Sequence, residues 1–170
     1  MFNLIDDFCK NTGKEVVADA NVLILYLVGS TNINYIKKVK ATKIFSEDDY
    51  YNLKNIIERF ETVLTTPNIL TEVSNLAGQK KKYEKELYFK EELFENFGDW
   101  ICKNSTVEKF IISEEITKDH VFNRLGLTDT AIIKLLEKQS GVITTDLKLR
   151  LELENRGLKV LNFTYLMKKK

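Results

Sequence analysis

The sequence is poor in the residues that build several common kinds of site. Its 170 residues include one histidine, His120, and two cysteines, Cys9 and Cys102. A structural zinc site takes four cysteine or histidine ligands, so three scattered residues cannot form one, and catalysis by a pair of histidines is excluded. Two widely spaced cysteines are typical of reduced thiols in a cytoplasmic protein. If the protein is an enzyme, carboxylates and hydroxyls must carry most of its chemistry.

Charge of one sign and long apolar runs are also missing. The formal net charge is +1, from 26 basic and 25 acidic residues, which excludes a strongly basic nucleic-acid-binding surface but not a local basic patch. The longest apolar run, Val22–Val28, is far shorter than the ~20 residues that span a bilayer. The first 12 residues show no basic stretch before an apolar one, so we expect no signal peptide and no membrane association.

Short β-type runs alternate with longer helical stretches along the chain. This alternation predicts an α/β fold with a parallel sheet of four to five strands and helices on both faces. We expect a single domain over residues 1–170, with a core at about 15–163 and an expanded helical middle at about 80–125. The predicted strands are 15–18, 62–65, 141–144 and 158–161, with an edge segment at 110–112. The predicted helices are 20–28, 48–60, 68–76, 80–103, 129–139 and 146–156, with part of 113–125.

Two aspartates stand where predicted strands end. Asp19 follows the apolar strand 15–18, and Asp146 follows the strand that begins at Gly141. In a doubly wound fold, ligands bind at the carboxyl ends of the strands, so both carboxylates are delivered to one edge of the sheet. The alternative is that each aspartate only caps the helix that comes after it.

Glu72 reaches the same edge from a helix. Thr66 as the cap and Pro67 as the first helical residue predict that this helix begins where the strand 62–65 ends. Helical spacing then places Asn68, Glu72 and Asn75 together on one face. A solvated glutamate between two amides is the alternative interpretation.

Asp129 occupies an unusual position in its predicted helix. It shares a face with the apolar residues Ile132, Ile133 and Leu136, and Thr128 is the expected N-terminal cap. A favourable interaction with the helix dipole is the simpler explanation for an acid in the first turn. However, an aspartate that points inward needs a partner, because burying an unpaired charge is costly. No lysine or arginine stands at an obvious pairing position in this helix.

Four carboxylates that converge on one cleft repel one another. Each pair costs about 4 kcal/mol at ~4 Å and an effective dielectric constant near 20. A hard divalent cation removes this cost, and all-oxygen ligation favours Mg²⁺ or Mn²⁺. Asn21 and Thr144 offer amide and hydroxyl oxygens that would support the carboxylates.

In this order and context, four segments resemble the PIN-domain nuclease family over nearly the whole chain. The matching segments are Val17–Asn21, Thr66–Val73, Leu127–Ile133 and Val142–Asp146. The resemblance implies a three-layer α/β/α fold with strand order 3-2-1-4-5 and a Mg²⁺- or Mn²⁺-dependent endoribonuclease. It also assigns both catalytic and metal-binding roles to a quartet of acids and supporting roles to two neighbours. The quartet is Asp19, Glu72, Asp129 and Asp146, and the supporting residues are Asn21 and Thr144.

The resemblance extends to partners. Many members of the family are VapC-like toxins of toxin–antitoxin pairs and form homodimers, so an RNA substrate, an antitoxin protein and a second copy of the chain are the expected partners. Some members carry a further acid two residues after the last aspartate, where this chain has Lys148. We expect Lys148, Arg150, Lys37 and Lys38 to contact the backbone of a single-stranded or looped RNA.

Two other classes of protein remain open from the sequence alone. A PIN-like fold with idle acids would serve as a non-catalytic RNA-binding or scaffold module. An α/β phosphohydrolase also uses an aspartate at the end of a strand, but the type that needs a second aspartate two residues later would find Asn21 there. The presence of all four acids favours the nuclease over both alternatives.

Overall fold

The computed structural model describes residues 2–79, 87–136 and 140–167. Within these ranges the chain alternates between helices and strands, as the sequence predicts. The helices are α1 (Phe2–Thr12), α2 (Ala20–Thr31), α3 (Glu47–Ile57), α4 (Pro67–Gly78), α5 (Leu87–Ile101), α6 (Ser113–Thr117), α7 (Phe122–Leu136) and α8 (Leu147–Asn155). The strands are β1 (Glu15–Ala18), β2 (Thr62–Thr65), β3 (Thr106–Glu108), β4 (Gly141–Thr144) and β5 (Lys159–Asn162).

The five strands form one parallel sheet in the order β3-β2-β1-β4-β5. This confirms the predicted α/β class and strand order. The order reverses between β1 and β4, and right-handed crossovers therefore place the helices of the two halves on opposite faces of the sheet. A ligand site in such a fold is expected at this point of reversal, beyond the carboxyl ends of β1 and β4.

The central strands are apolar on both sides because helices cover both faces. Val16, Val17, Val142 and Ile143 are fully buried, as expected for the inner strands of a parallel sheet. Helix α2, which follows β1, is also buried over most of its length. The site at the sheet edge is therefore supported by the core of the protein.

Several predicted boundaries are wrong. The edge strand lies at Thr106–Glu108 instead of 110–112, and Phe110 is 79% exposed. Gly98 in the sequence predicts a bend or an interruption of the helix 80–103, but α5 continues through it. The predicted helices 80–103 and 129–139 fall partly on residues 80–86 and 137–139, which lie outside the described residues.

Helix α7 consists of two helical segments that meet at Gly126, where φ is 79° and ψ is −170°. The first segment, from Phe122, lies in the stretch 113–125 that is predicted to be helical in part. The second segment starts just after Gly126, close to the predicted start at Asp129. Glycine adopts this backbone conformation readily, so the chain changes direction there. Within the described structure, Thr128 makes no capping hydrogen bond, so its expected role as the N-terminal cap is not observed.

A cluster of ion pairs joins the start of α7 to α8. Arg156 donates to Asp119 from both terminal nitrogens, at 3.0 and 2.8 Å, and from Nε to Glu152 at 2.8 Å. Arg124 also pairs with Glu152, and Lys134 approaches Asp119 at 3.2 Å. The side chains of Asp119 and Glu152 are only 4% and 8% exposed, so the carboxylates of this cluster are buried between the two helices. It holds the helix that carries Asp129 against the helix that begins after Asp146.

Among the helices of the described ranges, none combines the length and the apolar character that crossing a membrane requires.

Candidate functional site

Asp19 lies at the end of β1 and is 3% exposed. Its backbone N–H donates to the carbonyl of Ile143 on β4 at 3.0 Å, and its side chain makes no capping hydrogen bond to α2. Instead, Thr144 Oγ1 donates to Asp19 Oδ2 at 2.8 Å. The register that pairs Ala18 with Ile143 brings these two side chains together. The neighbouring strand thus positions this carboxylate, which does not act as a side-chain cap of α2.

Asp146 lies beside this pair at the end of β4. Its backbone N–H donates to Thr144 Oγ1 at 2.9 Å, and its Oδ1 accepts a hydrogen bond from the backbone of Leu149 at 2.8 Å. Asp146 is therefore a true N-terminal cap of α8, as the simpler interpretation of the sequence proposed. Within the described structure, its Oδ2 accepts no hydrogen bond, so one oxygen remains available for a ligand.

Glu72 approaches from α4. The helix begins as predicted, with Pro67 as its first residue and with Thr66 Oγ1 accepting from the backbone of Ile69 at 3.3 Å. Ile69 and Val73 are fully buried, whereas Glu72 is half-buried. Helix α4 packs against both α2 and α7, so it brings Glu72 to the same edge as Asp19.

Asp129 completes the group from α7. It is half-buried, and its pKa is raised from 3.8 to about 7, first by burial and then by the charges of Asp19, Asp146 and Glu72. The pKa of Asp19 is raised to about 6 because burial and the charges of Glu72 and Asp146 outweigh the hydrogen bond from Thr144. Charges of other members of the quartet contribute to both raised pKa values. The structure therefore brings all four acids close enough to interact electrostatically.

Among the described residues, the four acids have no compensating cation. No ion pair there includes any of them. The raised pKa values of Asp19 and Asp129, due first to burial and then to neighbouring carboxylates, agree with this lack of a paired cation. The described ranges contain no set of three His, Cys, Asp or Glu side chains already arranged to hold a metal ion.

A groove of about 400 Å³ opens beside the acids, between α4 and the break in α7. One wall belongs to α4 and includes Glu72, and the other is formed by α7. The lining residues are Pro67, Asn68, Thr71, Glu72, Asn75, Leu127 and Thr128. The sequence predicts the α4 face, but it does not predict the α7 wall. The signal for that wall is Gly126, which allows the chain to turn at this point.

The residues expected to support the quartet differ in their placement. Thr144 contacts both Asp19 and Asp146, as described above. Asn21 lies in the first turn of α2 and is half-buried, but its side chain makes no hydrogen bond within the described structure. The structure therefore joins Thr144 to the acids directly and leaves Asn21 only near them.

The basic residues expected to bind RNA lie in two places. Lys148 is exposed in the first turn of α8, two residues after Asp146. Arg150 is committed to other contacts, because its side chain is 14% exposed, donates to the hydroxyl of Tyr165 at 2.6 Å and pairs with Glu154 at 3.7 Å. Of these two residues, Lys148 is the better placed to meet a phosphate near the acids.

Lys37 and Lys38 follow the far end of α2. This helix has 12 residues and is therefore about 18 Å long, with Asp19 at its beginning. Lys37 donates to the carbonyl of Lys43 at 3.2 Å, and Lys38 lies over the ring of Tyr35 at 5.3 Å. Both lysines thus make contacts within the segment 35–43.

No family model matches the chain, and neither a curated protein nor a solved structure matches it. The arrangement of the residues themselves is therefore the basis on which a function can be assigned.

Proposed function

We propose that the protein is a Mg²⁺- or Mn²⁺-dependent endoribonuclease of the PIN type. The observation that carries this proposal concerns the surroundings and the pKa of the Asp129 carboxyl. This half-buried carboxyl has no cationic partner in the described structure, and its pKa is raised to about 7 by burial and by three other acids. A group with these properties, in a cleft at the point where the strand order reverses, is typical of a functional site.

The donor set fits a hard divalent cation. All four groups are carboxylates, which Mg²⁺ and Mn²⁺ prefer, and the site contains neither thiol nor imidazole. Asp19, Glu72, Asp129 and Asp146 would hold the ion. When bound, the ion would supply a lowered pKa for water and would offset negative charge on the scissile phosphate.

Residues of the chain would orient the carboxylates that hold the ion and would contact the substrate. Thr144 keeps Asp19 Oδ2 in place, and the backbone of Leu149 keeps Asp146 Oδ1 in place. Each of these two carboxylates is thus oriented at one oxygen. Asp129, whose pKa is near 7, would release a proton when the cation arrives, because metal ligands must be deprotonated. Lys148 would contact a neighbouring phosphate of the substrate.

The reaction would be hydrolysis of a phosphodiester bond. A water oxygen would bond to phosphorus while the bond from phosphorus to the 3′ oxygen breaks, and the leaving oxygen would take up a proton. The products would carry a 5′-phosphate and a 3′-hydroxyl. An unpaired RNA strand fits better than a duplex, since the open groove beside Glu72 is lined by uncharged side chains that suit a splayed base.

Cleavage of labelled single-stranded RNA tests the proposal. We expect cleavage with Mn²⁺ and none with EDTA, and we expect Asp19→Asn and Asp129→Asn each to lower the rate by at least about 100-fold. Asp99→Asn is the matched control, because Asp99 is exposed on α5. Cleavage that survives the chelator and both substitutions would exclude the metal-dependent reaction. Absence of cleavage despite RNA binding would favour the non-catalytic module.

The cytoplasmic location remains a prediction from the two cysteines, and the antitoxin and the homodimer remain predictions of the family resemblance. Co-purification from the native host and the mass of the protein in solution would test the two partners.

A further inference from the structure

The groove beside Glu72 contains polar groups that the protein itself does not use. The side-chain amides of Asn68 and Asn75 and the hydroxyl of Thr71 line it, and none of them makes a hydrogen bond within the described structure. Asn68 is half-buried, and Asn75 is exposed. These donors and acceptors therefore remain available to a ligand on the face of α4 that also presents Glu72.

The other surfaces of the groove are apolar or uncharged. Pro67 lies at one end, and Leu127, which is 37% exposed, lies on the opposite wall. Among the described residues, the lining contains no lysine or arginine, so this part of the groove does not suit a phosphate group. Its volume of about 400 Å³ is in the range of small-molecule sites. The combination suits a flat, uncharged ligand with hydrogen-bonding groups at its edge.

A nucleobase has this chemistry. Each amide side chain offers a donor and an acceptor side by side, which matches the paired donors and acceptors at the edge of a base. Pro67 and Leu127 offer apolar contact to the faces of the ring. Glu72 belongs both to the groove and to the acidic quartet, so a base in the groove would place its own backbone next to the acids.

We infer that the groove between α4 and α7 is a recognition subsite for one unpaired nucleobase adjacent to the scissile phosphate. The inference rests on the proposed function, and it adds that Asn68 and Asn75 determine which base is preferred. Substrate choice is then made by uncharged side chains of α4, separately from the carboxylates that support the chemistry.

Single-turnover cleavage of short RNAs that differ at one position next to the cut tests this subsite. We expect the wild-type protein to prefer one base by about tenfold or more in kcat/KM, since a site built to hydrogen-bond one edge penalises another. In Asn75→Ala and in Asn68→Ala, this ratio should fall to about threefold or less. Asn55→Ala is the matched control, because Asn55 is an exposed asparagine on α3, and it should keep the wild-type ratio.

A binding measurement gives a readout that does not depend on cleavage. The Asp19→Asn protein with Mg²⁺ is titrated with labelled RNA that either has the preferred base or is abasic at that one position. Loss of the base should weaken binding about tenfold in this background, and it should have no effect once Asn68→Ala and Asn75→Ala are added.

Failure of the proposed function and failure of the base subsite give different results in these experiments. If the wild-type protein cleaves no RNA with any metal, the proposed function fails. If it cleaves with Mn²⁺ but both asparagine variants keep the wild-type base preference, the nuclease stands and the base subsite is overturned. Equal binding of the abasic and intact RNAs would also overturn it and would leave the groove to a ligand of another class, such as a protein segment.

Discussion

Thr144 Oγ1 donates a hydrogen bond of 2.8 Å to Asp19 Oδ2, and this contact joins the ends of β4 and β1 where the strand order reverses. The same hydroxyl accepts from the backbone N–H of Asp146 at 2.9 Å. One threonine side chain thus connects two members of the acidic quartet. The contact favours the charged form of the Asp19 carboxyl and so opposes the rise in its pKa that burial causes.

The first prediction concerns this hydroxyl. Thr144→Val keeps the shape of the side chain and removes its hydrogen bonds, which leaves the carboxylate of Asp19 and the N–H of Asp146 unsatisfied. We expect a loss of about 1–3 kcal/mol in the free energy of unfolding at neutral pH, with a further rise in the pKa of Asp19. Urea denaturation measures the loss. Thr145→Val is the control, because the neighbouring Thr145 is only half-buried, and an equal loss there would contradict the assignment.

The second prediction concerns divalent cations. Mg²⁺ or Mn²⁺ should raise the melting temperature, because binding at 100 times the Kd adds about 2.7 kcal/mol of stability, which is roughly 5–10 °C for a chain of this size. Asp129→Asn should reduce the shift, and Asp99→Asn should keep it. Differential scanning fluorimetry with and without metal provides the measurement. No shift for the wild-type protein at millimolar metal would argue against an ion site.

The third prediction concerns pH in the absence of metal. The pKa values of Asp19 and Asp129 are raised to about 6 and about 7, from 3.8. Between pH 3.8 and about pH 7, the folded protein retains protons that the unfolded chain loses. The contribution of these two groups to the free energy of unfolding is therefore complete below pH 3.8 and falls as the pH rises through about 7. The loss is on the order of a few kcal/mol.

Urea titrations in EDTA at several pH values test this slope. Asp129→Asn should flatten it and should be more stable than wild type above neutral pH, because one ionising group is gone. A wild-type stability that rises from about pH 5 to about pH 8 would contradict the prediction.

The fourth prediction concerns Arg156. Arg156→Ala leaves the buried carboxylates of Asp119 and Glu152 without their main partner, so we expect a loss of about 3 kcal/mol. Arg59→Ala is the control, because Arg59 pairs with Asp6 at an exposed site where both side chains are more than 40% exposed. It should cost less than about 1 kcal/mol. Thermal and urea denaturation compare the two variants.

The ion-pair cluster also has a pH signature of opposite sign. The guanidinium of Arg156 lowers the pKa values of Asp119 and Glu152 from 3.8 and 4.5. Their contribution is therefore complete above those values and is lost as the pH falls below them. Arg156→Ala should be less sensitive to acid than the wild-type protein. Equal acid sensitivity would show that other partners hold the two carboxylates.

The fifth prediction concerns the break in α7. A Cβ added at Gly126 or at Gly98 meets no atom within 4 Å, but only Gly126 has a positive φ, of 79°. Gly126→Ala should therefore cost about 1–3 kcal/mol through backbone strain alone, whereas Gly98→Ala should stabilise helix α5 by about 0.5–1 kcal/mol. If both substitutions have the same effect, the conformation at Gly126 is not the cause.

The sequence predicts the centre of the fold better than its periphery. The strands at 15–18, 62–65 and 141–144 are observed at those bounds because each is a short apolar run with a local end signal. Helix α1 is not predicted, since its formation depends on packing against distant parts of the chain. Gly141 shows this dependence, because a Cβ there would lie 2.7 Å from Thr12 and 2.9 Å from Phe8.

The sequence likewise predicts one part of the candidate site and not another. The approach of Asp19 and Asp146 follows from two strands that end at one edge, so alternation of strands and helices is enough to predict it. The groove is not predictable in this way, because its second wall depends on the turn at Gly126.

The topology divides the quartet between two stretches of chain. Asp19 and Glu72 both precede β3, whereas Asp129 and Asp146 both follow it. Neither stretch can assemble the cleft by itself, since each contributes only two of the four carboxylates. If the chain were cut in the exposed segment around Phe110, the cleft would form again only when the two fragments reassociated, so the proposed activity would also measure how well the two halves of the sheet dock.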